Sequence, residues 1–94
     1  MDTPLSRQVY YTGRVQGVGF RWFVKQVASG YEVTGWVRNL DDGRVELQVT
    51  GTAGEVFAFL EAVRGGRLAT HIRQVEEIDV ESSTERVKGF KIKE

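Results

Sequence analysis

Several features are absent from this 94-residue sequence, and each absence excludes a class of protein. Without cysteine, the chain cannot form disulfide bonds, use a catalytic thiolate or hold zinc or iron–sulfur clusters through cysteine. Thirteen Lys and Arg residues balance thirteen Asp and Glu residues, so no net charge attracts nucleic acid or an anionic membrane. No apolar run approaches the ~20 residues of a membrane span, and Met1–Leu5 lacks the pattern of a signal peptide. We therefore expect a cytoplasmic monomer with no membrane or nucleic-acid partner.

The composition that remains is ordinary for a globular protein, with 40% hydrophobic and 28% charged residues. It excludes a disordered tail, a collagen-like repeat and a coiled coil. The length suits one hydrophobic core, and the sequence has no linker, internal repeat or low-complexity tract. We predict a single domain over residues 1–94.

The start of the chain changes from the period of a strand to the period of a helix. Alternating apolar and polar residues predict a first strand at about 7–14. A short turn at 15–19 follows. The next apolar residues have the i, i+3, i+4, i+7 spacing of one helix face: Phe20, Phe23, Val24 and Val27. We expect Gly30 to end this helix in the left-handed conformation.

The middle and the end of the chain predict three more strands, a second helix and a short last strand. Strands at 33–40 and 44–50 are joined by the turn signal Asp41-Asp42-Gly43. A helix begins after Thr52, which has capping-box spacing to Glu55. Its apolar face precedes two glycines and consists of four residues: Val56, Phe59, Leu60 and Val63.

The last part of the chain predicts a strand at 72–80, whose imperfect alternation indicates a bulge or a change of register, and a short strand at Phe90–Ile92. Two helices on one face of a mainly antiparallel sheet would bury both apolar stripes. The fold class is therefore α+β, a ferredoxin-like split βαβ sandwich with an extra C-terminal strand. In that fold the first two strands run parallel, so their C-terminal ends share one edge of the sheet.

The segment from Gly13 to Arg21 is the first candidate for chemistry. The first amides of the helix have no partner within the helix, and they lie at the positive end of its dipole. Gly17 and Gly19 allow close approach of a ligand, and Arg21 adds a guanidinium suited to phosphate. The spacing matches neither a Walker loop nor a dinucleotide fingerprint. An ordinary glycine turn with a solvated arginine is an equal alternative.

Asn39 is the second candidate, because the edge argument places it near the same turn. Its side chain could bond to the backbone of the following hairpin, which is the commoner case. It could equally hold a water molecule or a ligand oxygen. The spacing does not decide between these two roles.

The run from Gly13 to Arg21 resembles the first signature of the acylphosphatase family. The run from Gly35 to Asn39 resembles the second signature, which continues through three further positions: Gly43, Val45 and Gly51. The residues Gly89–Ile92 resemble the C-terminal strand of that family. The resemblance covers nearly the whole chain.

This resemblance implies a hydrolase that converts acyl phosphates to a carboxylate and inorganic phosphate by direct attack of water. It implies no metal, no cofactor and no phosphoenzyme, with phosphate or sulfate as product-like ligands. Arg21 would bind the phosphate together with the loop residues Gln16, Gly17, Val18, Gly19 and Phe20. Asn39 would orient the attacking water.

Other residues are given structural roles. His71 lacks a partner at catalytic spacing, and Trp22 and Trp36 are expected to pack in the core or at half-exposed positions. The acidic residues from Glu76 to Glu81 are expected to form a solvated strand face rather than a metal site.

Two other functions remain as alternatives. A single-stranded nucleic-acid module of the same topology would stack bases on strand aromatics, for which Tyr10 and Tyr11 are the candidates. A regulatory domain could bind a small anion without catalysis.

Overall fold

The computed structural model describes residues 4–81 and 88–93. The elements follow in the order β1 (Pro4–Gly13), α1 (Phe20–Ala28), β2 (Val33–Asn39), β3 (Val45–Thr52), α2 (Ala53–Arg64), β4 (Ile72–Val80) and β5 (Phe90–Ile92). A short 3-10 turn, Ala69–His71, precedes β4. The predicted order of strands and helices is confirmed. Neither helix of the described ranges is long and apolar enough to cross a membrane.

The sheet has five strands in the order β4-β1-β3-β2-β5. β3 pairs antiparallel with both β1 and β2, so β1 and β2 run parallel to each other with β3 between them. β4 pairs antiparallel with β1, and β5 pairs parallel with β2. The ferredoxin-like fold is confirmed, and the C-terminal ends of β1 and β2 lie at one edge of the sheet.

One face of the sheet packs against both helices, as the two apolar stripes predict. The buried side chains of this layer come from the three central strands, β1, β3 and β2, and from both helices. They include Val9, Tyr11, Val37, Leu47, Phe20, Val24, Val56 and Phe59. Burying such side chains supplies the main favourable term in folding. The helices are therefore held against the sheet, and α1 carries its first turn to the edge where β1 and β2 end.

The first strand is longer than its alternation predicts, because it begins at Pro4 rather than at about residue 7. Pro4 stands opposite Thr52, and the Ser6 hydroxyl lies 2.7 Å from the Thr50 hydroxyl. β1 therefore pairs along the whole length of β3, from Pro4 opposite Thr52 to Tyr11 opposite Val45. Pairing with a neighbouring strand is a long-range contact that local alternation does not reveal.

Two predictions about helix ends are wrong. Gly30 is not in the left-handed conformation; α1 ends at Ala28, Ser29 follows with right-handed angles, and the Gly30 amide donates to Val27 O. Thr52 precedes α2 but makes no side-chain capping hydrogen bond. Glu55 Oε1 instead accepts from the Glu32 amide at 2.7 Å, so a tertiary contact replaces the capping box.

The bulge predicted for the fourth strand is confirmed at its start. Thr12 stands opposite Gln74, whereas Gly13 stands opposite Ile72, so Arg73 is an extra residue in β4. A bulge of this kind bends the strand and changes the direction of a side chain. It lies at the edge of the sheet where β1 ends.

Candidate active site

The loop between β1 and α1 depends on two glycines for its backbone path. Gly17 and Gly19 have φ of 77° and 81°, in the left-handed region. An added Cβ would meet nothing within 4 Å at either position, so the backbone angles and not the space favour glycine. Gly19 directly precedes α1, and the Phe23 amide donates to Gly19 O at 2.9 Å.

The first turn of α1 therefore presents amides that have no partner within the helix, those of Phe20, Arg21 and Trp22. No acidic residue lies in this turn, so no side-chain carboxylate there neutralises the positive end of the helix. The arrangement favours a bound anion.

Gln16 connects this loop to the β2–β3 hairpin. Its Nε2 donates to Leu40 O at 2.8 Å and to Arg44 O at 2.9 Å. The side chain of Gln16, a residue of the loop predicted to bind phosphate, is therefore directed to the hairpin backbone. These two bonds hold the loop beside the end of β2.

A cavity of about 170 Å³ lies between this loop, the end of β2 and β5. It brings together Arg21 and Asn39, the two residues predicted to be catalytic. The remaining lining residues are Val15, Gly17, Gly19, Phe20, Trp22 and Ile92. Four of the six residues predicted to bind phosphate line this cavity, whereas Gln16 and Val18 do not, and Val18 packs against the core.

Asn39 is half-buried at the last position of β2, and its Oδ1 is buried with no hydrogen-bond partner among the described residues. The hairpin turn does not use this side chain. Leu40 N donates to Arg44 O at 2.8 Å, and Gly43 N donates to Leu40 O at 3.2 Å. An unpaired buried acceptor costs about 1–3 kcal/mol. Such a group is typical of a site that a ligand or water completes.

Arg21 is half-buried and forms no ion pair within residues 4–81 and 88–93. Arg21 is the one charged side chain among the described residues that line this cavity, which include no carboxylate, histidine or cysteine. The cavity therefore combines one guanidinium, the positive end of a helix and an amide side chain. These groups can bind an oxyanion and position a neutral molecule beside it.

Three lining residues were missed by the sequence reasoning: Val15, Trp22 and Ile92. Trp22, expected to pack, is 55% exposed at the cavity. Ile92 reaches it because β5 pairs in parallel beside β2. The position of Trp22 directly after Arg21 in the sequence could have indicated that Trp22 lies at the site. No local pattern indicates the neighbour of a three-residue strand.

The remaining candidates lie elsewhere. His71 belongs to the 3-10 turn before β4 and does not line this cavity. Among the acidic residues of β4, Glu77 and Asp79 pair with Arg7. No group of three or more His, Cys, Asp or Glu side chains in the described ranges could hold a metal ion.

The nucleic-acid alternative is not favoured by the aromatic residues of β1. Tyr11 is buried in the core. The Tyr10 ring has the Arg44 guanidinium 4.7 Å from its centre, and its hydroxyl donates to Glu46. Tyr11 is therefore not available to stack a base, and Arg44 already occupies one face of the Tyr10 ring.

The comparisons with known proteins agree with one another. The acylphosphatase family model matches residues 7–92. The acylphosphatase of Bacillus licheniformis is 41% identical over 86 residues, which cover 92% of this chain and 91% of that protein. The acylphosphatase of Salinibacter ruber is 39% identical over 95 residues, covering 99% of each. The crystal structure of acylphosphatase from Bacillus subtilis matches with a TM-score of 0.86 at 36% identity, over 96% of this chain and 99% of that one.

The two signature runs therefore stand in a fold and in a set of relatives that agree with them, and the chain belongs to the acylphosphatase family, a family of enzymes that hydrolyse acyl phosphates.

Proposed function

We propose that the cavity between the 14–19 loop and the end of β2 is where this enzyme hydrolyses acyl phosphates, with Arg21 binding the phosphate and Asn39 orienting water. One observation carries the proposal. Arg21 and Asn39 come from different elements, yet they line one cavity at the amino end of α1, and that lining contains no carboxylate. An anionic phosphate would meet only a positive field there.

The phosphate would be held by the loop amides and the Arg21 guanidinium. A phosphoryl transition state spreads negative charge over its equatorial oxygens, and fixed donors stabilise that charge. Gln16 and Val18 belong to this proposal through their backbone amides, since their side chains are directed to the hairpin and to the core. The planar guanidinium can contact two phosphate oxygens at once.

Asn39 would place the water in line with the phosphorus. A half turn of its amide presents either the oxygen, which accepts from water, or the nitrogen, which donates. The water oxygen attacks phosphorus opposite the acyl oxygen, and the bond from phosphorus to that oxygen breaks. The electron pair leaves with the carboxylate; one proton of the water passes to a phosphate oxygen, and the other stays on the attacking oxygen.

This chemistry requires little from side-chain bases. The carboxylate is a good leaving group, so positioning and electrostatic stabilisation account for most of the rate increase. The absence of histidine, cysteine and carboxylate from the cavity lining agrees with transfer of the proton to the substrate itself.

Trp22 and Ile92 would face the acyl group. Together with Val15 and Phe20 they give one side of the cavity an apolar character. An exposed tryptophan beside a polar site is suited to contact a flat apolar group. We therefore include in the proposal a preference for aromatic or bulky apolar acyl groups over acetyl.

The test is hydrolysis of benzoyl phosphate by the purified chain, followed by ultraviolet absorbance, with inorganic phosphate as inhibitor. Arg21→Ala should lose about 3–5 kcal/mol of transition-state stabilisation through loss of a charged contact, a fall in kcat/KM of about 10²- to 10⁴-fold. Inhibition by phosphate should weaken with it. EDTA should leave the rate of the parent unchanged.

Arg67→Ala is the matched control, because Arg67 is exposed and lies over the Phe23 ring, outside the cavity lining. It should retain the parent rate. An Arg21→Ala enzyme within a few-fold of the parent would contradict the proposed site.

The proposal also includes a monomer, since Arg21 and Asn39 meet within one chain and the site needs no second copy. Light scattering after size-exclusion chromatography would test it. A cytoplasmic location is part of the same proposal, with cell fractionation as its test.

A further inference from the structure

A second cleft lies at the same edge of the sheet as the candidate active site. Its volume is about 420 Å³, more than twice that of the candidate active site. The end of β1 and the segments that lead into β3 and β4 form it, whereas the candidate active site lies beside β2 and β5. The two share no lining residue, so the cleft is a separate feature.

Three arginines line this cleft, Arg14, Arg44 and Arg73, and we refer to it as the arginine cleft. Arg44 donates through Nε to Asp42 Oδ2 at 2.8 Å. Arg14 and Arg73 are exposed and form no ion pair in the part of the chain that the structure describes. In a chain with no net charge, two guanidinium groups therefore remain uncompensated on one cleft.

Asp42 does not compensate these two charges. Its carboxylate accepts from the Arg44 amide at 3.0 Å and from the Arg44 side chain. These hydrogen bonds, the backbone one first, lower the pKa of Asp42 below its usual value. The carboxylate stays ionised and engaged with its own hairpin, so Arg14 and Arg73 are left to meet an anion from solution.

The backbone fixes both arginines at one junction. The bulge makes Arg73 the residue of β4 without an opposite partner, and it precedes the regular pairing of Thr12 with Gln74. On the other strand, the Arg14 amide donates to His71 O at 2.9 Å. A Cβ on Gly13 would lie 2.3 Å from that same carbonyl oxygen, so only glycine permits so close an approach. The two guanidinium groups therefore extend from a rigid frame.

Three other polar side chains belong to the cleft, those of His71, Thr12 and Thr70. The Nδ1 atom of His71 is buried and has no hydrogen-bond partner among the described residues. Thr12 and Thr70 also line the cleft, and each carries a hydroxyl. Hydroxyl and imidazole groups can bind phosphate oxygens beside arginine.

We propose that the arginine cleft is a second oxyanion site, which binds the phosphate groups of a small molecule such as a pyrophosphate or a phosphate ester. Guanidinium groups match phosphate oxygens in pairs, and two of them here have no other partner. The greater volume of the cleft suits a ligand larger than a single phosphate. The site goes beyond acyl phosphate hydrolysis and does not depend on the roles of Arg21 and Asn39.

The experiment is an NMR titration of the ¹⁵N-labelled full chain with inorganic pyrophosphate at constant ionic strength. The amides of Gly13 and Gly43 report on the arginine cleft, and those of Gly17 and Gly19 report on the candidate active site. Saturable shifts should occur at Gly13 and Gly43, with their own dissociation constant. This response supports the cleft even where Gly17 and Gly19 do not respond, a result that would count against the candidate active site alone.

Arg73→Gln should weaken pyrophosphate binding at the cleft about tenfold, since one charged contact is lost, while Gly17 and Gly19 respond as in the parent. Arg67→Gln removes the same charge from an exposed position outside the cleft and should leave both responses unchanged. The spectra themselves report whether each variant is folded. The proposal is overturned by the absence of saturable shifts at Gly13 and Gly43, by equal shifts with sodium chloride, or by equal weakening in both variants.

Discussion

Polar groups are paired with one another on the outer face of the sheet, whereas in the candidate active site they are left without protein partners. On the outer face, Glu46 Oε1 accepts from Arg38 Nε at 2.6 Å, and Glu46 Oε2 accepts from the Tyr10 hydroxyl at 3.0 Å and from Gln8. We refer to these four residues as the Glu46 network. Arg21 and the Asn39 oxygen have no such bonds among the described residues. Similar groups thus serve stability where the protein supplies partners and serve a ligand where it does not.

The sheet register produces the pairing. Tyr10 stands directly opposite Glu46 on one side, and Arg38 stands directly opposite it on the other. Burial alone would raise the pKa of Glu46, but the hydrogen bonds from Arg38 and Tyr10 outweigh it and lower that pKa. A buried carboxylate with several donors is stabilising in its ionised form. The Glu46 network is therefore complete without a ligand.

Asn39→Ala should have the largest effect on the reaction of the substitutions that test this difference. It should abolish detectable turnover of benzoyl phosphate, because the water loses its orienting group. Removal of one positioned polar group usually lowers kcat by about 10²- to 10³-fold, and we expect a loss of at least about 10²-fold here. Phosphate should still inhibit competitively through Arg21. Stability should not fall, and the free energy of unfolding should rise by up to about 1–3 kcal/mol, because the substitution removes a buried acceptor that has no partner in the described structure.

Gln26→Ala is a control for deleting an exposed amide, here on α1, and should keep the parent rate. Loss of phosphate inhibition in Asn39→Ala would contradict the separate roles given to the two residues. So would a rate close to that of the parent.

Trp22→Ala should change substrate preference more than overall catalysis. We expect the ratio of kcat/KM for benzoyl phosphate to that for acetyl phosphate to fall about tenfold, as for loss of one apolar or stacking contact. Trp36→Ala is the matched control, since that ring lies on the outer face with Lys93 Nζ 4.5 Å from its centre. Equal ratios in the Trp22→Ala enzyme and the parent would exclude a contact with the acyl group.

Glu46→Gln should affect stability and leave the reaction unchanged. At pH 7 the free energy of unfolding should fall by about 1–3 kcal/mol, because charged hydrogen bonds are weakened. The folded-state pKa of Glu46 lies below the ordinary 4.5, so its contribution is complete above that value and is lost as the pH falls through the folded-state pKa. The difference between parent and variant in urea unfolding should therefore shrink below about pH 4.5.

Glu76→Gln, at an exposed position of β4, should change stability little at any of these pH values. A difference between Glu46→Gln and the parent that stays constant from neutral to acid pH would show that the carboxylate charge is not what stabilises the network.

Much of the fold follows from patterns within single elements. The spacing of Phe20, Phe23 and Val24 predicts which face of α1 is buried, and alternation predicts β3. The approach of Asn39 to the 15–21 loop is also expected from the sequence, because split βαβ topology puts the ends of β1 and β2 at one edge. Each of these inferences requires only a local period and one rule of topology.

The rest depends on contacts between distant segments. Ile92 reaches the cavity only because β5 pairs beside β2, and Gln16 binds carbonyls more than twenty residues away. Glu55 bonds to Glu32 instead of completing its capping box. The arginine cleft lies where the end of β1 meets the starts of β3 and β4. The bulge that places Arg73 there has a position in β4 that the alternation of the sequence does not specify. Local propensity contains no information about such partners.

The two hydrogen bonds of Gln16 also restrict how the hairpin can vary in length. Exposed turns usually accept added residues with little harm. Here one amide group spans the carbonyls of Leu40 and Arg44, the residues that flank the turn. An insertion that disturbed the hydrogen bond from Leu40 N to Arg44 O would separate those two acceptors and release the glycine loop from the strand that ends in Asn39. The length of this exposed turn therefore helps to set the position of the glycine loop relative to Asn39.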